Sequence, residues 1–160
     1  MKKIICIICV ILLLFNMFIE IILLKKSNKT ILKIKRQKEK MQRYYNLYSK
    51  WIDLDIKNKD ISEYLLENGI SKVIIYGFGP IGINLYDYLL ERNIEVVCVV
   101  DKGLLEQSGE LCVRKIDSLS NTDVDAVIVT AVHVYESVYN DLRKKIKCPI
   151  LSLENILYKI

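Results

Sequence analysis

The sequence predicts an α/β protein: a small parallel sheet with flanking helices, preceded by a single N-terminal transmembrane helix and a basic helical linker. This reading rests on three features. Residues 4–24 form an apolar run that only Asn16 and Glu20 interrupt. Charge divides sharply, net +10 over residues 1–50 and net −5 over residues 51–160, so the overall +5 describes neither part. From Ser71 onward, β-branched runs alternate with helically spaced apolar residues, the pattern of parallel strands joined by helices. The acidic C-terminal part excludes a uniformly basic nucleic-acid binder. A content of 52% hydrophobic residues with only two prolines excludes a disordered chain. Three segments are expected: an anchor over 1–24, a linker over 25–68 and a folded domain over 69–160.

The run Ile4–Leu24 is long enough, as a helix, to span a hydrocarbon core of ~30 Å. Glu20 lies one turn from its end, where it can snorkel to the interface. Lys25-Lys26-Ser27-Asn28-Lys29 offers no small-residue cleavage site, against a removable signal peptide. More Lys and Arg follow the run than precede it, so the positive-inside rule puts the C-terminal domain in the cytoplasm. The expectation is a single-pass protein of the inner or plasma membrane. Cys98, Cys112 and Cys148 are scattered singly and Cys6-x-x-Cys9 lies within the apolar run, so neither a disulfide framework nor a metal site is expected.

In the linker, residues 30–54 lack Gly and Pro and are rich in good helix formers. Ile31, Ile34, Met41, Tyr45, Tyr48 and Ile52 recur at steps of three and four, with Lys38 in the missing position, a weak coiled-coil seam. One expectation is a homodimer through residues 31–52. The alternatives are a basic helix on anionic lipid or a helix docked on its own domain, which the cluster Tyr44, Tyr45, Tyr48 and Trp51 favours. Asp60-Ile61-Ser62-Glu63 then reads as a capping box opening a short helix that stops before Gly69.

The strand Ser71–Tyr76 leads into Gly77-Phe78-Gly79-Pro80-Ile81-Gly82, a complete G-x-G-x-x-G. Ile81, Leu85, Tyr88 and Leu89 have helical spacing, and Ile94–Val100 reads as a second strand closed by Asp101. Strand, glycine turn, helix, strand and acidic residue together form the context a dinucleotide fingerprint requires. Gly77 permits the tight turn, Gly79 lets backbone approach a pyrophosphate, and Gly82 lets the helix pack closely. Pro80 suits the first helical position, and the helix N-terminus offers amides and a positive dipole end to phosphate. Asp101 can accept bonds from a ribose diol, which favours NAD, whereas Lys102 suits a 2′-phosphate and leaves NADP open. Further strands are expected at Leu111–Val113, Asp125–Thr130 and Cys148–Ser152, with helices over about Tyr135–Lys145 and Glu154–Lys159.

The Gly77–Gly82 turn, Val99-Val100-Asp101, Leu111–Val113 and Ala126–Thr130 resemble a small Rossmann-like domain of surface-polysaccharide enzymes. The stretch is similar to the N-terminal nucleotide-binding regions of membrane-bound nucleoside-diphosphate-sugar epimerase/dehydratases and of sugar O-acyltransferases. That resemblance implies binding of NAD or a nucleotide-sugar by Gly77, Gly79, Gly82 and Asp101; Phe78, Pro80 and Ile81 complete the turn as cofactor-binding candidates, and Thr130 can bond a nicotinamide or sugar or equally cap the following helix. It also implies work alongside glycan-biosynthesis enzymes. The Tyr-x-x-x-Lys pair of the epimerase/dehydratases has no match here, since Tyr135 is followed four later by Tyr139 and Tyr139 by Arg143. The acyltransferases' β-helix has none either.

His133, the only histidine, follows a strand on the side where parallel sheets bind ligands. It is the candidate general acid or base, and a solvated loop histidine is the alternative. The leading expectation is a nucleotide-binding module that is not catalytic by itself. A minimal NAD-dependent oxidoreductase or epimerase completed by a partner, and a nucleotide sensor for a membrane partner, are the alternatives.

Overall fold

The structure is a computed structural model that describes residues 2–101, 113–114, 119 and 123–160, with side chains from Leu12 onward, apart from Leu13 and those of 113–114. The chain forms two compact units, Met1–Gln42 and Arg43–Ile160. The first lies within helix α1 (Lys2–Ile56), a helix of 55 residues. In it Ile31, Leu32, Ile34 and Met41 are all exposed.

Among the described residues, no helix is long and apolar enough to cross a membrane. This corrects the expected transmembrane anchor, and with it the single-pass placement in the inner or plasma membrane with a cytoplasmic C-terminal domain. Asn16 and Glu20 interrupt the apolar run, and Lys25, Lys26 and Lys29 follow within the same continuous helix.

The second unit starts with the last turns of α1. Leu47 and Leu54 are fully buried, and Tyr44, Tyr48 and Trp51 pack against the same core. Tyr45 and Ile52, assigned to the seam, point outward. The aromatic residues on one face of the helix thus dock it on the domain. Helix α2 (Ile61–Glu67) follows, capped by Asp60, whose carboxylate accepts the Ser62 N–H at 2.6 Å.

Next come β1 (Lys72–Tyr76), α3 (Pro80–Leu90), β2 (Glu95–Val100), β3 (Val113–Arg114), β4 (Ala126–Val129), α4 (Tyr135–Leu142), β5 (Ile150–Ser152) and α5 (Leu153–Lys159). All strand pairs are parallel, in the order β3-β2-β1-β4-β5. This is the doubly wound order, which reverses between β1 and β4. The third strand covers Val113 of the expected Leu111–Val113, whose first two residues lie outside the described ones, as does Lys102. β5 is an edge strand, which suits Pro149 just before it.

Period-two alternation along the strands divides the core. Val73, Ile75, Val99 and Ile128 face α1, α2, α3 and α5. Ile74, Tyr76, Cys98, Val127 and Val129 face α4 through Val138 and Leu142. Both faces of the sheet are covered, which explains why its strands read as continuous apolar runs.

A polar hub ties α2 to α3. The Asp60 carboxylate accepts bonds from Ser62, from the Tyr88 hydroxyl at 2.6 Å and from Arg92 Nε at 3.1 Å. Burial opposes its ionisation, yet these donors hold its pKa down to about 2. Burial and the bond to Asp60 push the Tyr88 phenol up to about 12.

Candidate functional site

The glycine-rich turn sits at the C-terminal end of β1, beside the reversal in strand order. Doubly wound sheets open a ligand crevice at this place, because neighbouring connections leave to opposite faces. Gly77 has φ +94°, a left-handed conformation that a side chain strains. Its N–H donates to Val100 O at 2.8 Å, carrying the ladder one residue past the strand. Gly82, in the first turn of α3, presses directly on that turn. A Cβ there would overlap the Gly77 carbonyl oxygen and come within 3.0 Å of the carbonyl carbon. Thr130, only 3% exposed, closes the arrangement from β4. Its hydroxyl donates to Gly77 O at 2.5 Å, with Tyr76 O a longer second acceptor at 3.2 Å.

Gly79 differs from its two neighbours in the motif. It is the N-cap of α3 at φ −75°, an ordinary backbone conformation, and a Cβ there would meet no atom within 4 Å. Pro80 takes the first helical position, where its missing N–H costs nothing. The Ile81 side chain is buried in the core, so this residue faces the crevice through its backbone alone. The first-turn amides of a helix have no intrahelical acceptor, and Ile81 and Gly82 supply them here. Phe78 is half-buried against Tyr86, their rings edge-on at 5.8 Å. Its N–H donates to Asp101 Oδ2 at 2.6 Å. The turn, Asp101 and Thr130 are therefore brought together.

Helix α1 supplies the wall that sequence reasoning did not place here. Its tail and α3 run side by side: Tyr48 accepts a bond from Asn84 at 3.2 Å, and Trp51 meets Tyr88 edge-on at 5.5 Å. Tyr44 lies one turn, about 6 Å of rise, before Tyr48. Its phenol lies 3.2 Å from His133 Nδ1, the two rings edge-on. Burial raises the Tyr44 pKa, and the negative charge of Asp101 raises it further. Arg43 Nη1 donates to Val132 O at 3.3 Å. The candidate acid–base residue is thus half-buried and engaged by Tyr44 rather than solvated. The signal that could have found this wall was the Tyr44-Tyr48-Trp51 spacing, which places three aromatic rings on one helix face.

Beside this wall, at the C-terminal ends of β4 and β5, lies a cavity of about 530 Å³. Arg43, His133, Tyr135, Glu136, Ser152 and Glu154 are among its lining residues. Its size falls within the range of small-molecule sites.

Fold and crevice define a parallel α/β domain of the doubly wound class with a glycine-rich turn at its switch point. Residues 69–150 match the family described as C2185-like, N-terminal. That match covers slightly more than half the chain, and the chain belongs to this family. No curated protein and no solved structure matches it. Arg43, Tyr44 and Glu154 lie outside the matched residues, so the wall and part of the cavity are built by segments flanking the family domain.

Proposed function

We propose that the chain is a nucleotide-binding module that holds the diphosphate of NAD or of a nucleotide-sugar over the glycine-rich turn. One observation carries this reading. Packing accounts for Gly82 and backbone conformation for Gly77, but neither accounts for Gly79. A ligand that must approach the backbone closely does account for it. The amides of Ile81 and Gly82 and the positive end of α3 favour an anionic group there, and Asp101 stands where a ribose diol would be read. The resemblance to polysaccharide enzymes supports the same ligands, and cell-surface glycan synthesis as the setting.

Titration calorimetry of the full chain with NAD, NADP, UDP-glucose and ADP tests the proposal. Binding of at least one of them is expected, together with its loss in Gly79→Val at an unchanged melting temperature. A wild-type chain that binds none, or a Gly79→Val chain that binds as well as wild type, refutes it.

A further inference from the structure

We infer that the cavity at the C-terminal ends of β4 and β5 binds a small zwitterion of the amino-acid class: Arg43 and Ser152 hold its carboxylate, and Glu136 and Glu154 hold its ammonium. The cavity shares no residue with the glycine-rich turn, so this binding stands apart from the nucleotide reading.

Ser152 marks the site. It is 3% exposed and occupies the N-cap position of α5, where a serine hydroxyl ordinarily accepts a bond from the first turn of the helix. Here the hydroxyl makes no such bond, and it donates to no other described residue. Among the described residues, no fully enclosed side-chain oxygen or nitrogen lacks a partner. The Ser152 hydroxyl therefore opens on the cavity it lines. A polar group this deeply buried costs free energy until a partner satisfies it. A ligand bound in the cavity supplies that partner.

The charges point the same way. Arg43, Glu136 and Glu154 line one cavity of about 530 Å³. A guanidinium and carboxylates that share a cavity gain by pairing. These three form no ion pair, either with one another or with any other described residue. Arg43 is steadied instead by its bond to Val132 O at 3.3 Å, which uses one of the five N–H donors of its fork. Two other titratable groups on the wall are already engaged. His133 meets the Tyr44 hydroxyl at 3.2 Å, and the Tyr135 hydroxyl donates to Ile150 O at 2.9 Å.

An anion alone meets two carboxylates here, and a cation alone meets the guanidinium. A molecule carrying both charges satisfies both. Its carboxylate accepts two parallel bonds from the Arg43 fork and a third from Ser152. Its ammonium has three N–H donors, enough for Glu136 and Glu154 together. A neutral polyol bonds the same groups but leaves all three charges uncompensated.

Calorimetry of the full chain with the common α-amino acids, β-alanine and γ-aminobutyrate is the test, with glucose as the uncharged probe. At least one amino acid is expected to bind, and its analogues lacking either the amine or the carboxylate should bind at least about tenfold more weakly. Arg43→Ala should cost about tenfold, as should Glu136→Gln combined with Glu154→Gln. Ser152→Ala should weaken binding about threefold or more at an unchanged melting temperature, since the hydroxyl caps nothing in the unliganded chain. That pair of readouts separates contact with the ligand from a structural role. Binding of no amino acid, or of glucose in their place, overturns the inference. So does a singly charged analogue that binds as tightly as the zwitterion, or an affinity unchanged by Arg43→Ala. Nucleotide affinity should be equal in wild type and Arg43→Ala, so failure here leaves the nucleotide reading standing.

Discussion

Gly82 and Gly79 belong to one motif, yet they respond to a methyl group in opposite ways. In Gly82→Ala the new Cβ overlaps the Gly77 carbonyl oxygen and lies 3.0 Å from its carbon, both backbone atoms of a turn that Thr130 already holds. Ordinary contact begins near 3.4 Å, so α3 must retreat from the turn. That retreat pulls at Ile81, Leu85 and Leu89, all at most 4% exposed. Overpacking of this kind costs about 1–3 kcal/mol. A gain of up to ~1 kcal/mol from replacing glycine in a helix offsets part of it. A net loss of roughly 1 kcal/mol lowers the melting temperature of a domain this size by about 3–6 °C. Gly79→Ala meets no atom within 4 Å at φ −75°, so its stability should stay within about 0.5 kcal/mol of wild type. Paired thermal and urea melts at pH 7 read both values. Equal melting temperatures for the two variants, or a lower one for Gly79→Ala, would refute the division of labour drawn between these glycines.

Three further outcomes are expected. Asp60→Asn keeps a competent cap but removes the charge that Tyr88 and Arg92 address. The folded pKa of about 2 lies below the ordinary 3.8, so this stability is present above pH ~4 and lost as pH falls through 2. Discounted for solvent screening it amounts to about 1–2 kcal/mol at pH 7. Urea midpoints of wild type and variant should converge below pH 3, and a gap independent of pH would count against the hub. Leu85→Ala deletes a fully buried side chain between α3 and the sheet and should cost about 2–5 kcal/mol in chemical denaturation. Thr130→Val preserves the side chain's shape but removes the hydroxyl from Gly77 O, for a loss of about 1 kcal/mol. Its effect should be absent in a chain already carrying Gly82→Ala, whose turn is displaced; additive losses would show that the two groups do not act on one carbonyl.

The parallel sheet was legible because each strand carries its own signal. A run such as Val73–Tyr76 is buried on both faces, so its composition states its environment without reference to partners. The turn was legible for a related reason: Gly82 answers to a contact within a few residues, and Gly77 to a positive φ. The α1 wall was not. Arg43 and Tyr44 lie in a stretch whose composition says only "helix", and what they meet, Val132 and His133, is 89 residues away. The Tyr44-Tyr48-Trp51 spacing marks a face that docks, but nothing local says which part of the domain it meets. Of the seam residues, Tyr48 packs on the core beside Leu47, Trp51 and Leu54, while Ile31, Ile34, Met41, Tyr45 and Ile52 stay exposed, so heptad spacing alone does not separate the docked face from the open one. The apolar run near the N-terminus misled for a different reason: it was read from residue type alone over residues 4–24, and among the described residues no helix is long and apolar enough to cross a membrane.

The bond from the Phe78 amide to Asp101 makes the turn its own first ligand. A ribose hydroxyl that engages this carboxylate competes with the amide, and an amide so released becomes one more donor facing the phosphates. Under the proposed nucleotide reading, sugar and phosphate recognition would be linked through a single hydrogen bond, each lowering the cost of the other. For a nucleotide bound in this crevice, the intact molecule gains more than its separated parts. Inorganic phosphate and a bare nucleoside would be poor ligands even at a site that holds their conjugate well.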